Sequence, residues 1–275
     1  MINSKFLSSI VLDRVETYDA STVNCYAFRR GTDMIDGHAL AIGNMVSGYP
    51  FEIQWNTFYN SECAYIAGMF SNDNDCHTEL QEALRDEANG FMAKKKIRRL
   101  NEDTKRADWE EFNVQWMFYC VWCKVANNAA FRKMLLDIPS DAVIIEDSTF
   151  QNGATAAIWG TKNKVQRVLT KEYKKKLEAD GLSKAAIKKA CDEKRLGEWR
   201  KQGVFEGKNL MGKILMLCRD AAMRGTTPDI NLELLRSKHI YLFGVLLYLD
   251  ELPTIGGFSV KVDKAIVLDH EEVYD

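Results

Sequence analysis

One stretch rich in aromatic residues constrains the fold of this chain more than any other part of the sequence. It runs from Asp108 to about Phe131 without a proline or glycine. Asp108 suits the N-cap position, and the acids Glu110 and Glu111 would stabilise the first helical turn. Bulky residues then recur every three or four positions, namely Trp109, Phe112, Trp116, Tyr119 and Cys123. This spacing places them on one face of a helix, which the rest of the chain is expected to cover.

Other stretches also predict helices, and only four prolines interrupt the 275 residues. Apolar residues recur with helical spacing over about Ser61–Met69 and over about Asn209–Arg224. The short apolar run Val143–Ile145 lies between Pro139 and Glu146, as expected for a single strand. We therefore expect a mainly α fold with a few short strands.

The charge of the chain is distributed unevenly. Residues 161–208 contain 15 basic and 7 acidic side chains, and residues 94–106 contain 7 basic and 2 acidic ones. The whole chain nevertheless carries a formal net charge of −2. Such a distribution is typical of a protein that binds an anionic partner with one face.

A solvated, lysine-rich helical hairpin would account for the same charge. Lys171–Ala179 and Lys184–Arg195 predict two helices, with Gly181 ending the first and Ser183 capping the second. The sequence leaves both interpretations of the basic segment open.

The C-terminal part differs in character from the rest of the chain. Ile240–Leu249 is largely apolar. Phe258–Val262 alternates and Ala265–Leu268 is apolar, which predicts two short strands after a turn at Gly256–Gly257. The acidic segment Asp269–Asp275 is expected to be a surface tail.

Several classes of site are disfavoured by the sequence. The four histidines are far apart, which argues against a histidine-based metal site. A single C-x-x-C pair, Cys120 and Cys123, lies within the predicted aromatic helix, where we expect it to be part of the core. Neither a P-loop nor a G-x-S-x-G nucleophile motif occurs.

The seven cysteines show no disulfide spacing, and the apolar run Phe6–Leu12 is too short for a secretory signal. No apolar stretch approaches the roughly 20 residues of a membrane span. We therefore expect a cytoplasmic protein with reduced thiols, no membrane partner, and neither a metal nor another cofactor.

Five short motifs follow one another along the chain. They comprise a Gly-Asn-Met segment, a Ser-Glu helix start, an Asp-Trp helix start, a Glu…Trp-Gly segment and a Gly-Lys-Asn helix start. The motifs are GNMVSGYPF at Gly43–Phe51, NSECAYIAGMF at Asn60–Phe70, Asp108-Trp109, Glu146 with Trp159-Gly160, and GKNLMGKILMLCR at Gly207–Arg219. In this combination and order, the chain resembles the NADAR family (NAD- and ADP-ribose-associated domains) over about residues 25–222.

The resemblance implies a compact domain of helices packed at steep angles and an activity that cleaves N-glycosidic bonds. It divides the chain into an N-terminal extension (1–24), the NADAR-like domain (25–222) and a C-terminal α/β extension packed on it (223–275). The Trp-Gly pair and the Gly-Lys-Asn motif are further apart than is usual in the family. Residues 161–206 are therefore interpreted as a basic helical-hairpin insertion at the edge of the expected site.

Carboxylates are the groups expected to carry the reaction. Breaking a ribose C1′–N bond passes through an oxocarbenium-like state, and a carboxylate either stabilises this state or activates water. Glu62, in the first turn of its predicted helix, is the first candidate, with a helix-stabilising acid as the alternative. Glu146 is the second carboxylate. Arg219 is predicted to reach Glu62 or Glu146 and to orient the site.

A lysine nucleophile is an alternative, since a lysine with a lowered pKa can attack C1′. The candidates are Lys94–Lys96, Lys208 and Lys213. Relatives often carry a basic residue where this chain has Met69, and an acid beside the Trp-Gly pair where it has Ala156 and Thr161. These departures keep a non-catalytic role open.

The remaining candidates would bind substrate. The Arg29–Arg30 pair suits a diphosphate, whereas Trp109 and Trp159 suit stacking on a base, with core packing as the alternative for Trp109. Free N–H groups at Gly207–Asn209 would bind phosphate, with an ordinary N-cap as the alternative for Asn209. The predicted substrate-binding residues are Arg29, Arg30, Asn44, Trp109, Trp159, Gly160, Gly207, Lys208 and Asn209.

Three functions follow from the resemblance and the charge pattern. The first is removal of ADP-ribose from guanine in DNA, an antitoxin-like role that the basic segments favour. The second is cleavage of riboflavin biosynthesis intermediates, and the third is non-catalytic sensing of an NAD-derived nucleotide. The expected partner is ADP-ribosylated nucleic acid or an ADP-ribose-like small molecule.

Overall fold

The computed structural model describes residues 10–72 and 76–256. Within these ranges the chain is mainly helical with a few short strands, so the predicted fold class is confirmed. The helices are α1 (Ser61–Met69), α2 (Thr78–Asp86), α3 (Gly90–Met92), α4 (Trp109–Asn127), α5 (Ala129–Asp137), α6 (Ala156–Trp159), α7 (Lys164–Ala179), α8 (Lys184–Leu196), α9 (Leu210–Arg224) and α10 (Leu232–Ser237). A π-helical turn (Ala93–Arg98) and a 3₁₀ segment (Arg99–Thr104) follow α3.

The strands form small, separate sheets. The strands are β1 (Glu16–Asp19), β2 (Cys25–Phe28), β3 (Met34–Ile35), β4 (His38–Ala39), β5 (Phe51–Ile53), β6 (Asn56–Phe58), β7 (Val143–Glu146), β8 (Lys162–Asn163), β9 (Val204–Gly207), β10 (Tyr241–Leu242) and β11 (Val245–Leu246). Strand β9 lies between β1 and β8, and β2 pairs with β7 in parallel. The parallel register sets Phe28 opposite Glu146, so the residues that follow these two strands leave the sheet side by side.

Helix α4 is the predicted aromatic helix, and it is buried on nearly all sides rather than on one face. Its predicted end at Phe131 was wrong. Asn128 adopts an extended conformation and its side chain accepts the Phe131 N–H at 2.9 Å, which starts α5 as a separate helix. Asp108 stands at the N-cap position, but its carboxylate binds Arg106 instead of capping. Cys120 and Cys123 are buried, as predicted.

Helices α1 and α9 pack closely on their neighbours, and their predicted bounds are confirmed to within one residue. A β-carbon at Gly68 of α1 would collide with the Trp116 indole, whose Nε1 donates to the Ala64 carbonyl at 3.2 Å. A β-carbon at Gly212 of α9 would collide with the Ile144 carbonyl of β7. These two glycines bring α1 against α4 and α9 against β7.

The predicted basic hairpin consists of α7 and α8. Gly181 adopts φ +77° after α7, and the Ser183 side chain caps α8, as predicted. Helix α7 begins earlier than predicted, at Lys164, because the Asn163 side chain caps it by accepting the Gln166 N–H at 3.0 Å. The interpretation of this hairpin as an insertion, and the division at 1–24, 25–222 and 223–275, stay predictions.

The C-terminal segment packs on the central helix as far as it is described. Strands β10 and β11 form a two-stranded hairpin, and Trp122 Nε1 of α4 donates to the Pro253 carbonyl at 2.9 Å. The strands predicted at Phe258–Val262 and Ala265–Leu268, and the tail Asp269–Asp275, lie outside the described residues. Across 10–72 and 76–256, none of the helices combines the length and the apolar character that crossing a membrane requires.

Candidate active site

Glu62 is a buried carboxylate with one oxygen left unpaired. It lies in the first turn of α1, a helix in which every residue is buried, while Asn60 caps the helix by accepting the Cys63 N–H at 2.9 Å. The Asn44 amide donates to Glu62 Oε2, and the Glu62 N–H donates to the Asn44 carbonyl at 3.0 Å. Oε1 is buried and has no hydrogen-bond partner among the described residues. Burial raises the pKa of Glu62.

Glu146 ends strand β7, and its backbone is held on both sides. Its N–H donates to Asn209 Oδ1 at 3.0 Å, and its carbonyl accepts the Thr161 N–H at 2.8 Å. Burial and, to a smaller extent, the negative charge of Glu62 together raise the pKa of Glu146 to about 7. The two carboxylates, from α1 and β7, therefore lie within electrostatic reach of each other.

Two cations face this carboxylate pair from the π-helical turn. Lys94 and Arg98 both oppose the rise in the pKa of Glu62, and Lys94 does the same at Glu146. Both side chains are partly buried, whereas the neighbouring lysines 95 and 96 are exposed. A π-helical turn is rare and often occurs at functional sites. Of the predicted lysine candidates, Lys94 is thus the one that lies near the carboxylates.

An aromatic row lies beside the carboxylates. The Trp159 ring meets Tyr65 edge-on, with centroids 5.5 Å apart, and Tyr65 contacts Trp109 at 4.9 Å. Tyr65 lies one helical turn after Glu62. Trp109 is fully buried, in agreement with the core alternative, whereas Trp159 is only partly buried. Trp159 is therefore the better placed of the two to contact a bound molecule.

Gly160 and Gly207 occupy points where backbones approach closely. A β-carbon at Gly160 would lie 2.5 Å from Ser148 Oγ and 2.6 Å from the Glu146 carbonyl. A β-carbon at Gly207 would collide with the Gly160 carbonyl. Both glycines thus support the backbone around Glu146.

Two of the N–H groups predicted to bind phosphate before α9 are not free, because those of Lys208 and Asn209 already have partners. The Lys208 N–H donates to the Ala157 carbonyl at 2.8 Å, and the Asn209 N–H donates to the Gly160 carbonyl at 3.3 Å. The Lys208 ammonium pairs with Asp13, on the N-terminal segment.

Asn209 does not cap α9 with its side chain, contrary to the N-cap alternative. It adopts φ +52°, and its amide bridges strand β7. Nδ2 donates to the Ile144 carbonyl at 2.9 Å, and Oδ1 accepts the Glu146 N–H. Asn209 therefore holds the backbone of a candidate catalytic residue.

The predicted contact of Arg219 with Glu62 or Glu146 was also wrong. The buried Arg219 guanidinium donates to the carbonyls of Pro139 and Ala142, at 3.0 and 2.8 Å. Burial lowers its pKa to about 10. Arg219 thus holds the turn that precedes β7.

Lys213 is likewise occupied away from the carboxylates. Its ammonium donates to the carbonyls of Val11 and Arg14, at 2.7 and 2.6 Å. This contact ties the N-terminal segment to α9.

Arg29 and Arg30 are both engaged by carboxylates. Arg29 Nη2 lies 2.6 Å from Asp147 Oδ2, and its guanidinium stacks over the Phe150 ring at 4.9 Å. Arg30 pairs with Asp192 of α8. A diphosphate would have to compete with these partners.

Asp147, Asp33, Tyr65 and Arg98 are not among the residues that the sequence predicts for the site. Asp147 is buried and directly follows Glu146, so a second acid at the end of a predicted strand was the available signal. Arg98 belonged to a basic stretch whose π-helical geometry has no simple sequence signature. In the described part of the chain, no group of three or more Cys, His, Asp or Glu residues is arranged to hold a metal ion.

A cleft of about 550 Å³ lies elsewhere, at the junction of β2 with the segment after α8. Asp36, Leu196 and Arg200 are among its lining residues, and neither Glu62 nor Glu146 lines it. We place the candidate site at Glu62 and Glu146 because of the chemistry of these two carboxylates, and not because of the size of a cleft.

Comparisons with known proteins give structural similarity but no match of sequence. No family model matches the sequence, and no curated protein matches it. The NMR structure of the Escherichia coli protein YbiA is similar at a TM-score of 0.43 and 18% sequence identity, covering 74% of this chain and 92% of that one.

Proposed function

We propose that this protein is an N-glycosidase that hydrolyses the bond between a ribosyl C1′ and a base nitrogen. The observation that carries the proposal is the pair formed by the buried Glu62 and the partly buried Glu146, flanked by Lys94 and Arg98. Two carboxylates in different environments can act as acid and base in the same reaction. The resemblance of the sequence motifs to the NADAR family supports the same reaction class.

The surroundings of the two carboxylates suggest which of them is protonated. Burial raises the pKa of Glu62, but the hydrogen bond from Asn44 and the two cations oppose that rise, whereas at Glu146 the charge of Glu62 adds to the effect of burial. The pKa of Glu146 is raised to about 7 in part by the charge on Glu62, so Glu146 holds the proton. Glu146 donates this proton to the departing base nitrogen as the C1′–N bond breaks. Glu62 stabilises the positive charge at C1′ and accepts a proton from the attacking water.

For the substrate, we propose ADP-ribosylated guanine in DNA. The exposed lysines of the α7–α8 hairpin and of the π-helical turn would attract a polyanion. Trp159, partly buried next to Gly160, would stack on the base. The base would have to be single-stranded or flipped out of a duplex to reach buried carboxylates.

The test is a mass-spectrometric turnover assay with three substrates offered separately. These are an oligonucleotide with ADP-ribosylated guanine, an ADP-ribosylated guanine nucleoside, and a phosphorylated riboflavin precursor. Wild type is compared with Glu62→Gln and with Glu206→Gln, which removes an exposed glutamate of β9 as a control. We expect Glu62→Gln to lower kcat by about 100-fold or more, in line with the loss of a group that contacts the reacting atoms. Glu206→Gln should match wild type.

The substrate arms separate the alternatives. Turnover of the oligonucleotide, with a KM that rises steeply with salt, supports the polymeric substrate. Turnover of only the riboflavin precursor would replace the proposed substrate but keep the reaction. Binding of ADP-ribose without turnover of any of the three would refute the enzymatic proposal and favour a sensor.

A further inference from the structure

The α7–α8 hairpin is fixed to the rest of the protein by a buried ion pair. Arg195 Nη2 of α8 lies 2.7 Å from Asp33 Oδ1, and the two side chains are 4% and 3% exposed. One turn earlier on α8, Asp192 pairs with Arg30. The hairpin is thus docked on the loop that follows β2, through charges of both signs.

The same Asp33 carboxylate orders the backbone of that loop. Its second oxygen, Oδ2, accepts the N–H groups of Arg29 and Arg30, at 2.8 and 3.1 Å. A buried carboxylate needs partners for both oxygens, and Arg195 forms the buried ion pair with Asp33 that occupies Oδ1. The loop conformation therefore depends on a residue of the hairpin.

The ordered loop brings Arg29 to Asp147, the residue that follows Glu146. The Arg29 guanidinium binds the buried Asp147, directly after Glu146, and the parallel pairing of β2 with β7 places the two chain segments side by side. Asp147 also accepts the Thr149 N–H at 3.0 Å through its other oxygen. Two ion pairs, Arg195–Asp33 and Arg29–Asp147, are thus linked by the hydrogen bond from the Arg29 backbone N–H to Asp33, and Asp147 is the next residue in the chain after Glu146.

We propose that Arg195 is a positioning residue. Through Asp33, the hairpin fixes Arg29 against Asp147 and so holds Glu146 in the position from which it donates a proton. This proposal rests on the proposed function for its kinetic consequence, but not for its structural one. It gives the hairpin a role in building the site, in addition to any contact of its exposed lysines with an anionic partner.

The test compares Arg195→Met with Lys194→Met, its neighbour on the same helix. Lys194 pairs with Glu198 near the surface, so the control removes the same charge without touching Asp33. We expect Arg195→Met to lower kcat by about tenfold to a hundredfold with little change in KM, because misplacing a catalytic group acts mainly on the chemical step. Arg195→Lys should restore part of the loss, and Lys194→Met should match wild type.

A structural readout keeps this proposal separate from the proposed function. The Arg29 Nε–H is buried, so it gives a protected arginine side-chain signal in a ¹H–¹⁵N NMR spectrum, assigned with Arg29→Lys. We expect this signal to shift or broaden in Arg195→Met and in Asp33→Asn, but not in Lys194→Met. If wild type turns over no substrate, the proposed function fails, yet the NMR comparison still decides the positioning. An unchanged Arg29 signal in folded Arg195→Met, or in Asp33→Asn if the former does not fold, would overturn the proposal.

Discussion

Replacing Glu146 by glutamine should remove one contribution to the pH dependence of the free energy of unfolding. In the native state the pKa of Glu146 is about 7, whereas its ordinary value is 4.5. Between these values the native protein binds more protons than the unfolded chain, so stability falls as the pH rises. At about 1.4 kcal/mol per pH unit, the side chain costs the native state about 3 kcal/mol by pH 7. Glu146→Gln removes this cost because its amide does not ionise.

The assay is urea unfolding of wild type and Glu146→Gln between pH 4.5 and 8. We expect the free energy of unfolding of the variant, relative to wild type, to increase by about 3 kcal/mol across that range. The same variant should lose turnover, since it cannot donate a proton. Glu206→Gln serves as the control for removing one negative charge at an exposed position. Parallel stability curves for wild type and Glu146→Gln would refute the assignment of Glu146 as a buried acid that is protonated near neutral pH.

Two further substitutions test how the surroundings are built. Gly160→Ala should lower the free energy of unfolding by about 1–3 kcal/mol and lower turnover, because the new methyl group would press on the Glu146 carbonyl. Urea unfolding measures the first effect and kcat the second. An alanine variant as stable and as active as wild type would contradict the close approach. Lys124 is buried in α4 and burial lowers its pKa to about 7. The unfolded chain therefore binds more protons at this lysine above pH 7, and the side chain should contribute a gain of about 2 kcal/mol in the free energy of unfolding between pH 7 and 9. Lys124→Met should lack this gain in urea unfolding, and an equal gain in the variant would rule out the buried lysine as its source.

Local signals in the sequence were sufficient for five of the ten helices in the described residues, namely α1, α4, α7, α8 and α9. The bounds of α1 agree with the prediction at both ends, and the stop at Gly181 and the cap at Ser183 lie where the sequence places them. These features depend on contacts between residues a few positions apart, which the sequence records directly. The predicted C-terminal end of the aromatic helix was wrong because the helical spacing of apolar residues continues past Asn128. The side chain of Asn128 instead caps a new helix.

The partners of the polar side chains were much harder to predict. Arg219 and Lys208 were assigned to the site from their motifs, yet Arg219 binds backbone carbonyls before β7, and Lys208 binds Asp13. A guanidinium donates equally well to a carbonyl or a carboxylate, so its chemistry does not identify its partner. Only the folded backbone decides which carbonyl or carboxylate oxygen lies within hydrogen-bond distance of the guanidinium.

The sequence by itself determined that α1, α4, α7, α8 and α9 are helical, that Cys120 and Cys123 belong to the core, and that Glu62 lies in the first turn of a helix. The tertiary structure alone decided that Glu62 meets Glu146, that Lys94 and Arg98 face them, and that Arg195 reaches Asp33. The physical reason is that helix formation is governed by neighbours along the chain, whereas the ionisation of a buried carboxylate is governed by desolvation and by charges brought to it from distant segments.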